Sequence, residues 1–287
     1  MGILVIGSNG QLGSDLCREI EPSELVALTH SEIEVTNTDS VQKALQEHRP
    51  EVVINTAAFV RVDECETEPD QCFRVNAIGS RNVAVATQKI GAKLVYISSD
   101  YVFGEEGRFV PYTEFDMPVP VSILGKSKVE GEKFVQHLCS KYFIVRTSGL
   151  FGLAGSSGKG GNFVETILKL ARERDELKVV NDQIFSPTYT RDLAAKIAQL
   201  INTEYYGIFH ITNKDACSWY EFAREILRLT GSKTPVTPIT SDQYPQKAKR
   251  PNFSVLDNYH LRLLGMDDMR PWPEALAEYL KEKGHTK

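Results

Sequence analysis

Met1-Gly2-Ile3-Leu4-Val5-Ile6-Gly7-Ser8-Asn9-Gly10-Gln11-Leu12-Gly13 opens the chain, and its reading decides the fold. A run of β-forming apolar residues, Ile3–Ile6, flows into glycines spaced G-x-x-G-x-x-G, and a helical segment, Gln11–Glu19, follows. That order builds a strand, a tight turn and a helix N-terminus. Glycine has no Cβ, so such a turn lets a pyrophosphate approach backbone N–H groups where the helix dipole favours negative charge. The triplet alone is a weak signal; following a first strand and opening a first helix, it reads as a dinucleotide cradle.

Outward from this turn, strand and helix patterns alternate. Strands are expected at Ile3–Ile6, Leu25–Leu28, Val52–Ile54, Leu94–Ile97 and Phe143–Arg146. Helices are expected at Gln11–Glu19, at Ser40–His48, from Glu68–Asn76 on towards Ser80–Lys89, and at Ser122–Leu138. Fully apolar strands alternating with helices predict an α/β fold, a Rossmann-type doubly wound parallel sheet covered on both faces. Residues 1–147 read as the nucleotide-binding domain, with parts of 186–215 returning to it. Residues 148–185 and 216–287 form a smaller C-terminal region. In it Gly152–Gly161 reads as a mobile loop. Helices are expected at Asn162–Arg174, Arg191–Ile201, Trp219–Leu229 (capped by Ser218) and Pro273–Lys281.

Composition excludes several roles. The 287 residues are 41% apolar and 25% charged, with net charge −5, which gives no footprint for nucleic acid or an anionic membrane. No apolar run approaches the ~20 residues of a membrane span. Because the N-terminus reads as a core strand, it is not expected to be a signal peptide. Cys17, Cys65, Cys72, Cys139 and Cys217 are scattered without a C-x-x-C, which suits a reducing compartment, the cytoplasm. The six histidines have no metal-ligand spacing, so no metal site is expected.

The chemistry should lie at the strand C-termini. After the second strand stands Thr29-His30-Ser31, with Glu32 and Glu34 displaced, so nothing bars a 2′-phosphate and the cofactor stays open between NADPH and NADH. Small residues in Asn55-Thr56-Ala57-Ala58 let a cofactor lie across the sheet edge. The fourth strand ends in Ser98-Ser99-Asp100-Tyr101. Downstream, Leu124-Gly125-Lys126-Ser127-Lys128 lies on a helix, where Leu124 and Lys128 share a face at i, i+4 and Lys128 can point at the cavity of Ser99.

Together these pieces resemble the extended short-chain dehydrogenase/reductases and, within them, the dTDP-4-dehydrorhamnose reductase family. The resemblance runs nearly end to end, through Ile33–Asn37, Val62-Asp63, Val75–Ala77, Ser98–Phe103, Gly131-Glu132, Arg146-Thr147-Ser148, Asn162–Val164, Asp182-Gln183, Ser186–Tyr189, Cys217–Phe222 and Lys249–Pro251. It implies hydride transfer from NADPH or NADH to the C4 ketone of a dTDP-linked 6-deoxysugar. It also implies cofactor contacts at Gly7, Ser8, Asn9, Gly10, Gln11, Leu12, Gly13, Glu34, Val35, Thr56, Ala57, Ala58, Asn76, Ser98 and Lys128. Substrate contacts are implied at Ser99, Asp100, Tyr101, Thr147, Ser148, Gly149, Asn162, Phe185 and Arg250. The family's catalytic set is Ser/Thr, Tyr and Lys, with Tyr and Lys in a Y-x-x-x-K. Ser99 and Lys128 match it.

The tyrosine does not: Leu124 stands there, and leucine has no proton to give. Loss of a positioned general acid costs about 10²–10⁴ in rate. Gly149 replaces the family's Trp, which removes a wall of the sugar pocket, and Phe185 replaces a Gly. Ser99, Lys128 through a water, or Tyr101 (on the face of Ser99 if the strand persists) remain as proton donors. A second reading is a chain that keeps the nucleotide but has lost efficient chemistry, as a regulatory or binding subunit. The regulatory subunit of methionine adenosyltransferase is similar in fold. Arg250 suits a pyrophosphate. Trp219, Tyr220 and Phe222 read as core. The acids Asp63-Glu64 and Glu66–Glu68 read as a solvated helix start rather than a face for magnesium, which the sequence does not support. Some relatives pair through helices, so a homodimer is an option the sequence leaves open.

Overall fold

The computed structural model describes residues 1–155 and 161–286. The first half runs β1 (Ile3–Ile6), α1 (Gln11–Glu19), β2 (Leu25–Leu28), α2 (Thr38–His48), β3 (Val52–Asn55), α3 (Val62–Thr67), α4 (Pro69–Phe73), α5 (Ser80–Ile90), β4 (Lys93–Ser99), α6 (Ile123–Leu138) and β5 (Tyr142–Thr147). Then come β6 (Leu150–Phe151), α7 (Phe163–Glu173), β7 (Leu177–Val180), β8 (Ile184–Phe185), β9 (Thr188–Tyr189), α8 (Thr190–Leu200), β10 (Gly207–His210), β11 (Cys217–Ser218), α9 (Trp219–Thr230), β12 (Val236–Ile239), α10 (Tyr259–Leu263) and α11 (Trp272–Glu282). Among the described residues, one six-stranded parallel sheet has the order β10-β5-β4-β3-β1-β2. Strand order reverses between β1 and β3, which places a crevice at the C-terminal ends of these two strands, next to that of β4.

Alternation fills both faces. Ile3 and Val5 pack with Leu16 of α1 and Ile197 of α8; Leu4 and Ile6 pack on the other face with Val41 of α2 and Val83 of α5. A separate apolar core joins α7, α9 and α11 around Phe151, Phe222 and Tyr279. Ser218 caps α9 in a reciprocal capping box with Glu221. The helix expected from Glu68 into Asn76 is interrupted. Pro69 starts α4 afresh, and a wide π turn, Arg74–Gly79, carries Asn76. Of the expected Gly152–Gly161 loop, residues 156–160 lie outside those described. No helix among the described residues is long and apolar enough to cross a membrane.

One buried ion pair locks α6 to the sheet. Arg146 of β5 and Glu132 of α6 are 2% and 3% exposed and pair in bidentate fashion, Nε to Oε1 at 2.9 Å and Nη2 to Oε2 at 2.7 Å. Ser98 of β4, opposite Arg146 in the sheet register, donates to Oε1 at 2.5 Å. His210 of β10 takes the remaining Nη1 at 3.4 Å. Every long edge of the pair is thus bonded, which offsets the cost of burying two charges. Replacing Glu132 by Gln strands a buried guanidinium. We expect a loss of ~3–5 kcal/mol of unfolding free energy, read from urea midpoints; a loss below about 1 kcal/mol, the worth of an exposed pair, would show that the pair does not fasten the helix.

Candidate active site

The turn after β1 is built as its glycines require. Gly7 has φ +80°, and a Cβ on Gly13 would lie 2.1 Å from the Gly7 carbonyl oxygen. α1 therefore starts directly against the turn. Its N-cap, Gly10, offers no side-chain cap, and its first turn holds no acid. The first N–H groups of this helix are left for an anion. Gly10, Gln11, Leu12 and Gly13 form one end of a cavity of about 800 Å³, within the range of small-molecule sites. Thr56 and Ala58 at the end of β3 also line it, as do Phe59–Val62 beyond, which the sequence did not single out. Gly7, Ser8, Asn9 and Ala57 are not part of the cavity wall but shape the turn behind it.

Three expected cofactor positions lie elsewhere. Val35 is buried in the sheet core and packs under Gly79. Glu34 is partly exposed and bound to His30 at 2.8 Å and to the Thr36 N–H at 2.8 Å. Asn76 is fully buried and acts as a brace: it accepts from the Phe59 N–H at 2.8 Å and donates to Phe59 O at 2.9 Å and Ser127 Oγ at 3.0 Å.

In the middle of the cavity, Ser98, Ser99, Lys128 and Leu124 come together. Leu124, Lys128 and Glu132 form one buried stripe of α6. Lys128 Nζ donates to Ile97 O at 2.9 Å and lies 5.0 Å from the Tyr96 ring centroid. Burial pulls its ammonium down to about 8. Leu124 rests in an apolar nest with Cys65, Cys72, Phe59 and Val62. The fourth strand does not persist to Tyr101. It stops at Ser99, whose hydroxyl accepts the Tyr101 N–H at 3.2 Å and caps a single turn, Asp100–Val102. Tyr101 still lines the cavity, but burial raises its phenol to about 12, so it is a poor acid. Asp100 is buried and accepts from Ser99, Ser148 and Ser254.

The cavity wall around Gly149 and Phe185 departs from expectation. Gly149 does not leave a gap in the wall. With φ +54°, a Cβ there would lie 2.3 Å from Phe185 Cε2: the Phe185 ring already occupies that space. Phe185 stacks on Trp219 at 3.8 Å between centroids, and Phe163 meets Trp219 at 4.6 Å. Trp219 is thus a wall residue rather than core, while Phe222 is both core and wall. Asn162 lines the cavity and caps α7 through Glu165 N–H. Arg250 also lines it, but is held by Asp63 at 3.0 Å. The acids before α4 do include a half-exposed helix start, Asp63 and Glu64 in the first turn of α3, but two of them also hold distant backbone. Asp63 accepts the N–H groups of Lys247 and Ala248, and Glu66 accepts that of Ile123. Gln183, Thr166 and Ser254 join the wall through tertiary folding that local sequence does not encode.

Among the described residues, two buried wall atoms lack a protein partner: Gln11 Oε1 beside the glycine turn and Thr147 Oγ1 beside Ser99. Buried polar atoms are rarely left so without a ligand to meet them. An uncapped helix start, an unpaired amide oxygen and an unpaired hydroxyl along one cavity fit a dinucleotide lying from α1 towards Lys128.

A parallel sheet of this order with such a cavity is the Rossmann-type architecture of the extended short-chain dehydrogenase/reductases. The model of the RmlD substrate binding domain family matches residues 1–284, so the chain belongs to that family. The spore coat polysaccharide biosynthesis protein SpsK of Bacillus subtilis is 42% identical over 283 residues, 98% of this chain and 97% of that protein. A dTDP-4-dehydrorhamnose reductase of Aggregatibacter actinomycetemcomitans is 38% identical over 272 residues, 89% of this chain and 90% of that one. The crystal structure of dTDP-4-dehydrorhamnose reductase from Bacillus anthracis in complex with NADP superposes with TM-score 0.93 at 44% identity, covering 98% of this chain and 100% of that one.

The packing of Phe185 against Gly149 has a measurable signature. Gly149→Ala should cost ~1–3 kcal/mol by overpacking the Phe185 ring. In a Phe185→Ala background the same change should cost only its backbone strain. The double-mutant cycle, followed by urea unfolding, should give a coupling of at least ~0.5 kcal/mol; additive costs would show that the two positions do not share one space.

Proposed function

We propose that this chain is an NAD(P)H-dependent reductase of a nucleotide-activated 4-keto-6-deoxysugar, of the dTDP-4-dehydrorhamnose reductase type, serving dTDP-L-rhamnose and cell-surface polysaccharide biosynthesis. One observation carries the reading. A single cavity joins the uncapped start of α1, the Ser99–Lys128 pair and an aromatic wall beside Arg250. The reduced nicotinamide, when bound, supplies the hydride. Gly10–Gly13 would hold the pyrophosphate, and Gln11 and Thr147 would gain the partners they lack. The Lys128 ammonium, charged at neutral pH with its value near 8, stabilises negative charge developing on the ketone oxygen. The NADP bound to the Bacillus anthracis relative favours NADPH over NADH. The Phe185–Trp219 stack gives the sugar an apolar face to lie on.

Leu124 favours a second reading, a binder that holds the nucleotide without turnover, because no side-chain proton donor stands at that position. Incubation with NADPH and dTDP-4-dehydro-6-deoxy-L-mannose separates the two. We expect loss of nicotinamide absorbance in the wild type, with kcat lowered ~10²-fold in Lys128→Met. Calorimetric binding of NADPH without any turnover would establish the binder instead.

A further inference from the structure

Three serine hydroxyls converge on one buried carboxylate against the same cavity that Leu124 lines. Ser99 donates to Asp100 Oδ1 at 2.9 Å, while Ser148 and Ser254 donate to Oδ2 at 2.8 and 2.6 Å. All four residues line the cavity. The two hydroxyls fill the lone pairs of Oδ2, whereas Oδ1 accepts a single hydroxyl, and the Asp100 N–H also lies against the carboxylate. A proton added to this carboxyl therefore goes to Oδ1, the oxygen beside Ser99. Ser99 then changes roles. Its oxygen accepts from Asp100 and from the Tyr101 N–H at 3.2 Å, and its own hydrogen is released towards the cavity. The cluster is thus a two-position proton wire that ends in the active site.

We propose that Asp100, acting through Ser99, supplies the proton that a leucine at position 124 cannot; this deepens the reductase reading above and rests on it. The ketone carbon gains a hydride from NAD(P)H, and the C=O electron pair moves onto oxygen. That oxygen takes the Ser99 hydrogen as Ser99 takes the proton from Asp100 Oδ1. The products are the alcohol, NAD(P)⁺ and an Asp100 carboxylate, which water reprotonates. Asp100 is a positioning residue in this scheme, since only Ser99 meets the reacting oxygen. Burial raises the Asp100 carboxyl above its ordinary range against the pull of the three hydroxyls, so the acid form is held to higher pH than in water. The ionisable groups around the cavity are Tyr101 in the adjoining turn, Lys128 on α6, Arg61 with its partner Glu64, and Arg250 with its partner Asp63. Beyond Ser98 lies the closed pair of Glu132 and Arg146.

The test measures kcat against pH for wild type, Asp100→Asn, Ser254→Ala and the Leu124→Tyr/Asp100→Asn double variant, alongside an infrared titration of the carboxyl C=O band. Because the acid form delivers the proton, wild-type kcat should fall as pH rises through the midpoint of the infrared titration, a limb distinct from the one near 8 that loss of the Lys128 charge gives. Asp100→Asn should lower kcat ~10²-fold with KM for NADPH unchanged, and abolish that limb. Leu124→Tyr should restore turnover in the Asp100→Asn background. Ser254→Ala removes a donor to the carboxylate, so both the falling limb and the infrared midpoint should move to higher pH. An Asp100→Asn enzyme with wild-type kcat and pH profile overturns the proposal alone. So does an unmoved limb in Ser254→Ala, which keeps the carboxyl and decides the matter should Asp100→Asn not fold. A wild type that binds NADPH but never turns over overturns the reductase reading, and the proposal with it.

Discussion

Burying a guanidinium and a carboxylate is expensive unless their hydrogen-bonding edges are met, and the Arg146–Glu132 pair meets them with groups from four elements, β4, β5, α6 and β10. That requirement leaves little freedom. Ser98 must stand opposite Arg146, which sets the register of β4 against β5. Glu132 must face the sheet, which sets the rotation of α6 about its axis. With that rotation given, Lys128 and Leu124 fall one and two turns earlier on the same face, beside the end of β4. Gly125 and Gly131 allow the helix to approach this closely, because a Cβ at either would strike Tyr101 O at 2.0 Å or Tyr96 Oη at 2.4 Å. The polar lock lies behind the cavity, and the reacting groups inherit their positions from it.

Much of this was legible in the sequence, for identifiable reasons. The strands β1 and β2 are apolar throughout, so Ile3–Ile6 and Leu25–Leu28 end visibly at Gly7 and Thr29. Helices with a side-chain cap, such as α9 behind Ser218, announce their first residue. The π turn at Arg74–Gly79 could not be read, since it differs from a continuous helix only in which carbonyl each N–H selects. Nor could Ser254, which reaches Asp100 from 154 residues away, or the latch of Arg250 on Asp63. Trp219 has the spacing of a core residue and lies on an amphipathic helix; only the cavity beside it makes it a wall.

The site is polar on one side and apolar on the other. Around Asp100, hydroxyls are dense; the Leu124 side chain instead rests against the thiols of Cys65 and Cys72 and the Phe59 and Tyr101 rings. A charge developing in this cavity meets the Lys128 ammonium and the serine cluster, and nothing polar from position 124. The asymmetry concentrates the means of handling protons on the strand side of the cavity, away from the helix that the family's phenol would occupy.

The shared space of Gly149 and Phe185 also constrains the order in which such a wall can be rebuilt. A chain with bulk at both positions would overlap itself, because the ring carbon stands 2.3 Å from where a Cβ would be. A lineage exchanging an aromatic at 149 for one at 185 must therefore pass through an ancestor that is small at both, with a roomier pocket than either endpoint. Such an intermediate would leave Trp219 without the ring it now stacks on, so the wall would be looser there until the second aromatic arrived.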